Sequence, residues 1–385
     1  MTRRSFALVL ALLLSACSGH GHPAALAPRA DSAVPPVVTH KTQAARTLTR
    51  GTVDLYAADR PNLLSATAAS ARSLVYVPND ATGRVTVIDP RTYTVLRTVK
   101  VGRLPQHVTP SWDLHTLWVD NDLGNSLTPI DPSTGSFGSS VPVADPYNLY
   151  FTVDGRSAVV VAERLARLDF RDPHTMKLQQ SLHVPCRGVD HADFSADGLH
   201  ALFSCEFSGQ LLWVDMVHRH VDKVIRLPHE TSQRPKPQDV KVSPDGRTFF
   251  VADQNGNGVY LVDAATQRVR SFVSTGMSAH GLYVSRDSRD LYVTNRLGGS
   301  VSVISFATGR VRATWRIPGG TPDMGGVSAD GRVLWLSGRY VGEVYALSTV
   351  DGHLLARIHV GGEPHGLCVW PQPGRYSLGH TGVLR

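Results

Sequence analysis

The sequence predicts an all-β fold, a seven-bladed β-propeller with four antiparallel strands per blade, and three observations lead there. A chain of 385 residues that is 42% hydrophobic and carries 34 Gly and 24 Pro has the composition of strands and tight turns rather than of long helices or disorder. One short apolar segment recurs seven times, its last position falling at Asn79, Asn121, Glu163, Cys205, Asp253, Asn295 and Gly338, with spacings of 42, 42, 42, 48, 42 and 43 residues. A period near 42, filled with short apolar runs and turn signals, fits four strands per repeat. Turn residues then recur in phase with this ruler: Asp154-Gly155, Asp197-Gly198, Asp245-Gly246 and Asp330-Gly331 before it, Asp89-Pro90, Asp131-Pro132 and Asp172-Pro173 after it. Gly supplies the positive φ that such turns need. Each unit therefore reads as strand A, an Asp-Gly turn, strand B ending at the ruler, a loop, strand C, a second turn and strand D.

Taken in order, residues 1–16 open with Arg3 and Arg4 and continue as an apolar run from Phe6 to Leu14 that leads into Ser15-Ala16-Cys17. The run is too short to span a bilayer. It resembles a bacterial lipoprotein signal peptide, cut before Cys17 so that the thiol carries diacylglycerol; an ordinary signal peptide cut elsewhere is the alternative. Lipid on Cys17 plus an N-acyl chain gives the multi-chain attachment that stable membrane anchoring needs. The expected location is extracytoplasmic, on the bacterial cell membrane within the envelope. Residues 17–50, rich in Ala, Pro and polar residues without periodicity, read as a flexible tether.

The propeller is expected over 51–370. Its first unit begins directly at a strand B, Leu74 to Val77, whereas the last runs past its strand D into an extra strand A, Gly366 to Trp370. The C-terminal strand thus closes the N-terminal blade and removes the open edges that invite aggregation. The 48-residue interval lodges its extra residues around His229 to Pro237, in a crossover that either carries recognition or is surface decoration. Residues 51–72 and the tail 371–385 fall outside the repeat, with no place assigned.

Leu291-Tyr292-Val293-Thr294-Asn295, with Val75-Tyr76-Val77-Pro78-Asn79 and Leu117-Trp118-Val119-Asp120-Asn121, makes residues 73–370 resemble the YVTN-repeat, YncE-like propellers. The resemblance implies that ligands or cofactors sit at the channel mouth, most often in a non-catalytic binding scaffold. YVTN repeats are also similar to the propellers of haem d1 nitrite reductase and of the amine dehydrogenase heavy chain, which implies a mouth histidine as an axial ligand. Lactonase propellers are a further resemblance, but they generally have six blades against the seven counted here. The chain has no Cys-x-x-Cys-His haem attachment site and no Ser nucleophile motif.

Strand direction gathers the candidate site. With strand A running down the central channel, the Asp-Gly turns lie below, and the ruler residues and the strand A entries lie above. The entries supply His107, Asn148, His191, Asp239, His280, Asp323 and His365 as ligand-binding candidates at the upper mouth. Imidazole and carboxylate suit first-row metals, and imidazole with Arg suits anions; no Cys-x-x-Cys pair lies within the propeller to specify a metal or a haem. The competing account is that each polar side chain caps backbone at a strand start. Beyond Cys17, Cys186 opens a crossover and Cys205 ends a strand B, both near the upper face. Outside the cytoplasm they are open to a disulfide, to remaining free thiols, or to a metal site with His191. Cys368 lies in an apolar strand and reads as core.

The formal charge of +7 is spread without a Lys/Arg block, which argues against a nucleic-acid partner. The leading function is a ligand- or partner-binding scaffold, taken as monomeric, whose upper face holds a small ligand, polymer or protein. The rivals are an extracytoplasmic enzyme or a metal or haem carrier, and a purely structural envelope protein.

Overall fold

The structure, a computed structural model, describes residues 53–380 and 382–385. The signal segment 1–16, Cys17 and the tether 17–50 lie outside the described residues. Among the described residues no helix is long and apolar enough to cross a membrane.

Seven antiparallel sheets, each ordered A-B-C-D, form the seven blades. Their A strands are, from the closing blade onward, Cys368–Trp370, Pro105–Pro110, Asn148–Phe151, Val189–Phe194, Pro237–Val242, Ala279–Val284 and Pro322–Val327. Blades are numbered 1 to 7 in that order. A strands are buried along their whole length or nearly so, whereas D strands such as His220–Arg226 alternate between exposed and covered residues. An inner strand has a neighbouring blade on each face, but the outer one faces water on one side, so only the outer one keeps the two-residue alternation. Adjacent blades share apolar cores: Tyr283, Tyr292, Val303 and Trp315 of blade 6 pack with Leu336, Tyr345 and Leu347 of blade 7. The glycines of the Asp-Gly turns, Gly155, Gly198, Gly246 and Gly331, stand at φ of 68, 71, 70 and 77°. Each turn is pinned from within: Ser195 Oγ donates to Asp197 Oδ1 at 2.6 Å, and that same oxygen accepts from Leu199 N at 3.0 Å.

Closure is made by Cys368–Trp370, which pairs with Leu74–Asn79 in the register Tyr76↔Cys368 and Leu74↔Trp370. The two segments outside the repeat both work on the channel. Residues 53–72 run across the lower face, where Leu55 N donates to Pro244 O at 2.9 Å and Asn62 N to Ala329 O at 2.8 Å, both acceptors being in Asp-Gly turns. Residues 371–380 and 382–385 turn back up into the channel. Ser377–Gly379 pairs with the A strand of blade 3 at Gly379↔Tyr150, and Val383–Leu384 pairs with Ser377–Gly379, making that sheet six-stranded. Gly379 has φ 141°, and any Cβ there would run into the Tyr150 ring, so glycine is what lets the hairpin lie against the blade.

Cys186 and Cys205 form a disulfide with Cα atoms 6.2 Å apart, joining the crossover into blade 4 to the end of its strand B. Cys368 is a buried free thiol, and burial pushes it up to about 12. The disulfide closes a short loop, with a sequence separation of 19. Confining such a loop in the unfolded chain is worth about 3 kcal/mol. The Cys186→Ala, Cys205→Ala double variant is therefore expected to lose about that much unfolding free energy in urea. An unchanged midpoint relative to the oxidised parent would mean that the bridge constrains nothing.

Candidate functional site

The A strands share an irregularity at their entries that aims side chains at the axis. In five blades the A–B register gains one residue on strand A: Pro105↔Asn121 gives way to His107↔Asp120, Val189↔Cys205 to Ala192↔Phe203, and blades 5, 6 and 7 do the same. The same gain separates Asn79↔Pro364 from Tyr76↔Cys368 in blade 1. A bulge of this kind bends the strand and redirects the side chain at the bulge. Blade 3, whose A strand instead pairs with the hairpin, keeps a regular register. Space for the rings comes from the glycines beside them, since a Cβ on Gly366 would overlap the His107 ring.

Four of the candidates meet. Ring centroids are 5.0 Å apart for His107 and His365, 5.5 Å for His107 and His191, 5.9 Å for His280 and His365, and 6.3 Å for His191 and His280. Asp323 joins them, taking His365 Nδ1 at 2.7 Å and lying 3.1 Å from His280 Nδ1. None of these five side chains lines an open mouth: all are at most 1% exposed. The physical reason is the hairpin, whose tip brings a fifth imidazole, His380, to 3.9 Å from the His107 ring and 5.8 Å from the His191 ring. The other two candidates do cap backbone. Asn148 Oδ1 accepts from Leu149 N at 2.9 Å, and Asp239 accepts from Val240 N and, across the blade boundary, from Leu282 N, both at 2.9 Å.

Electrostatics divides the cluster into two halves. Burial would push Asp323 up, but Arg296, His280 and His365 outweigh it and hold the carboxyl well below the usual range. Arg296 Nε donates to Asp323 Oδ1 at 2.7 Å, and Arg339 Nη1 stands 3.7 Å from Oδ2. On the same side, burial and the guanidinium of Arg339 hold His365 down at about 3. On the other side, burial and the neighbouring imidazoles hold His107 and His380 well below 6.5. His191 alone is raised, because Asp190, with Oδ1 2.6 Å from its Nδ1, overcomes the cost of burial.

The charged rim above the cluster was missed in the sequence, although a signal existed: the residue after each ruler position. Those residues are Asp80, Asp122, Arg164, Glu206, Gln254, Arg296 and Arg339. They link neighbouring blades, as in Arg339 Nη2–Asp80 Oδ2 at 2.6 Å, Arg164 Nη2–Asp122 Oδ1 at 3.3 Å and Lys236 Nζ–Glu206 Oε1 at 2.8 Å. The insertion before blade 5 is tied to this face too: Asn255 Nδ2 donates to Arg234 O at 2.9 Å. Between blades 1 and 2 the upper face opens into a cleft of about 540 Å³, lined by Asp80, Lys100, Arg103 and the backbone around Gly83, Gly102 and Gly124. A smaller cleft of about 400 Å³ lies on the lower face between blades 3 and 4.

Fold and site together define a closed seven-bladed propeller with a histidine-lined, plugged axis and a charged upper rim. A family model described as YNCE-like beta-propeller matches residues 50–373, and the chain belongs to that family. No protein of curated function matches it. Among solved structures it is similar to the periplasmic gluconolactonase PpgL of Pseudomonas aeruginosa, at 18% identity and a TM-score of 0.64 over 78% of this chain and 99% of that one. It is similar as well to hydrazine synthase of Kuenenia stuttgartiensis, at 19% identity and 0.61 over 79% and 98%. A third is the dihydro-haem d1 dehydrogenase NirN, at 15% identity and 0.58 over 80% and 76%. Likeness at these identities shows the shared fold.

Proposed function

We propose that the protein is an extracytoplasmic, lipid-anchored binding module that takes a small anionic ligand in the upper-face cleft between blades 1 and 2. The observation that carries this reading is the cleft itself. Its volume of about 540 Å³ is that of a small-molecule site. Lys100 and Arg103 stand on its walls beside glycine-rich backbone, which allows close approach to donors, and Arg339 backs its Asp80 edge through their ion pair. Anchoring through Cys17 supports the same reading, because it would hold the module at the membrane surface with a tether of 17–50 to set its reach.

Calorimetric titration with inorganic phosphate and a panel of small carboxylates tests the cleft. Arg103→Ala is expected to weaken the best binder by about 10–100-fold, as loss of one charge-assisted hydrogen bond does, with the thermal midpoint of the free protein unchanged. Equal affinity in the parent and in Arg103→Ala and Lys100→Ala would dismiss the cleft. The anchor is tested separately: Cys17→Ser is expected to abolish lipid labelling and release the protein from membranes.

A further inference from the structure

We infer that His107, His191 and His380 form a metal site for one divalent first-row ion of the zinc type, inside the channel, where the hairpin of residues 371–385 meets blades 2 and 4. This site is distinct from the surface cleft and does not depend on it. One ring nitrogen of each of the three histidines lies within 4.8 Å of the others, and all three side chains are buried. Two of the rings are already oriented as metal-bound histidines are. His107 Nδ1 is 2.9 Å from Tyr147 O; a carbonyl only accepts, so Nδ1 carries the proton and Nε2 keeps its lone pair. His191 Nδ1 faces Asp190 Oδ1 at 2.6 Å, which likewise leaves Nε2 as the lone-pair nitrogen. Both Nε2 atoms are buried and without a hydrogen-bond partner. Buried polar atoms are rarely left so, and each such atom calls for an explanation. A backbone carbonyl behind one ligand and a carboxylate behind another are the outer partners that fix tautomer and ring direction in metal sites.

The donor set selects the ion. Three imidazole nitrogens suit zinc and its neighbours, whereas magnesium and calcium demand oxygen. Metal–nitrogen bonds of about 2.0–2.1 Å require nitrogens about 3.4 Å apart, so the rings need to close by little more than an ångström from their spacing here. Because His380 is on the hairpin and the other two are on separate blades, the ion would staple the plug into the channel. Bound metal then stabilises the closed propeller by mass action.

The experiment uses the full chain, purified, stripped with chelator and titrated with Zn²⁺, and separately with Co²⁺ as a spectroscopic stand-in. The expected result is one bound ion per chain, visible d–d absorption of a low-coordinate cobalt site, and a raised thermal midpoint with zinc. His380→Ala and His191→Ala are expected to lose all three, while Asp190→Asn weakens zinc by about 10–100-fold, as loss of an outer partner does. His200→Ala serves as the control, since His200, Asp215 and Asp222 form a second, partly exposed group of ligand-type side chains. Folding of each variant is checked by circular dichroism; where His380→Ala fails to fold, His380→Gln replaces it. A folded parent that takes up no stoichiometric zinc overturns the inference. So does equal zinc binding by the parent and the folded His380 variant, or loss of binding in His200→Ala alone. Any of these failures leaves anion binding at Arg103 unaffected, and failure at Arg103 leaves the zinc titration unaffected.

Discussion

Replacing Arg385 by alanine is expected to lower the unfolding free energy by about 3–5 kcal/mol, the cost of removing one partner from a buried ion pair. Arg385 Nη2 donates to Asp193 Oδ1 at 2.8 Å, with the two side chains 8% and 0% exposed. Its guanidinium also lies 4.7 Å from the centre of the Tyr56 ring, so it joins the hairpin both to blade 4 and to the segment on the lower face. Asp193 cannot turn to solvent when the arginine is gone, because its other oxygen accepts from Val242 N at 2.9 Å and holds blades 4 and 5 together. A charge left buried, rather than the lost contact itself, sets the size of the effect. Urea unfolding measures it, and amide exchange over residues 377–385 should quicken in the variant. A loss below about 1 kcal/mol, the range of an exposed pair, would show that the latch is not buried in solution.

Asp120→Asn is expected to act in the opposite direction, stabilising the protein, and to do so only as pH rises. Asp120 is fully buried; Thr109 Oγ1 donates to Oδ2 at 3.1 Å, and among the described residues Oδ1 has no hydrogen-bond partner and no cation contributes to its electrostatics. Burial, with Asp122 adding to it, raises this carboxyl well above 3.8. The folded state therefore keeps a proton that the unfolded chain sheds above about 3.8, and stability falls as pH rises through the interval between the two values. The slope is about 1.4 kcal/mol per pH unit for one such group. The asparagine variant has nothing to titrate there. Unfolding curves of parent and variant should meet near pH 4 and separate towards neutrality with the parent the less stable. Parallel curves, or a variant less stable at every pH, would mean that the carboxylate is ionised in the fold.

The blades were legible because their signals are local and repeat in phase. The ruler from Asn79 to Gly338 and the Asp-Gly turns recur at nearly constant offsets, so each supports the others, and a closing strand up to Trp370 followed from a first unit that begins at strand B. Strand direction carried the reading further, to His107, His191, His280, His365 and Asp323 around one axis. Phase alone places Asn148 and Asp239 in the same ring, but their short side chains turn instead to backbone N–H groups within reach. His380 gave no such signal. Its flanking strands, Ser377–Gly379 and Val383–Leu384, are three and two residues long, too short for any periodicity to show.

What the sequence by itself determined, then, is the count of blades, their strand order, the closing strand and the strand A entries around the axis, all of which follow from the phase of one repeat against the next. The tertiary structure alone decided what fills the channel, which histidines face one another, and which charges pair across the rim. Arg339 and Asp80 are 259 positions apart and meet because the ring closes, and Arg385 and Asp193, 192 apart, meet because the C-terminal hairpin enters the channel. Side-chain pairing over such distances is set by where rigid blades come to rest and by the need to satisfy every buried charge there, and neither leaves a period in the chain.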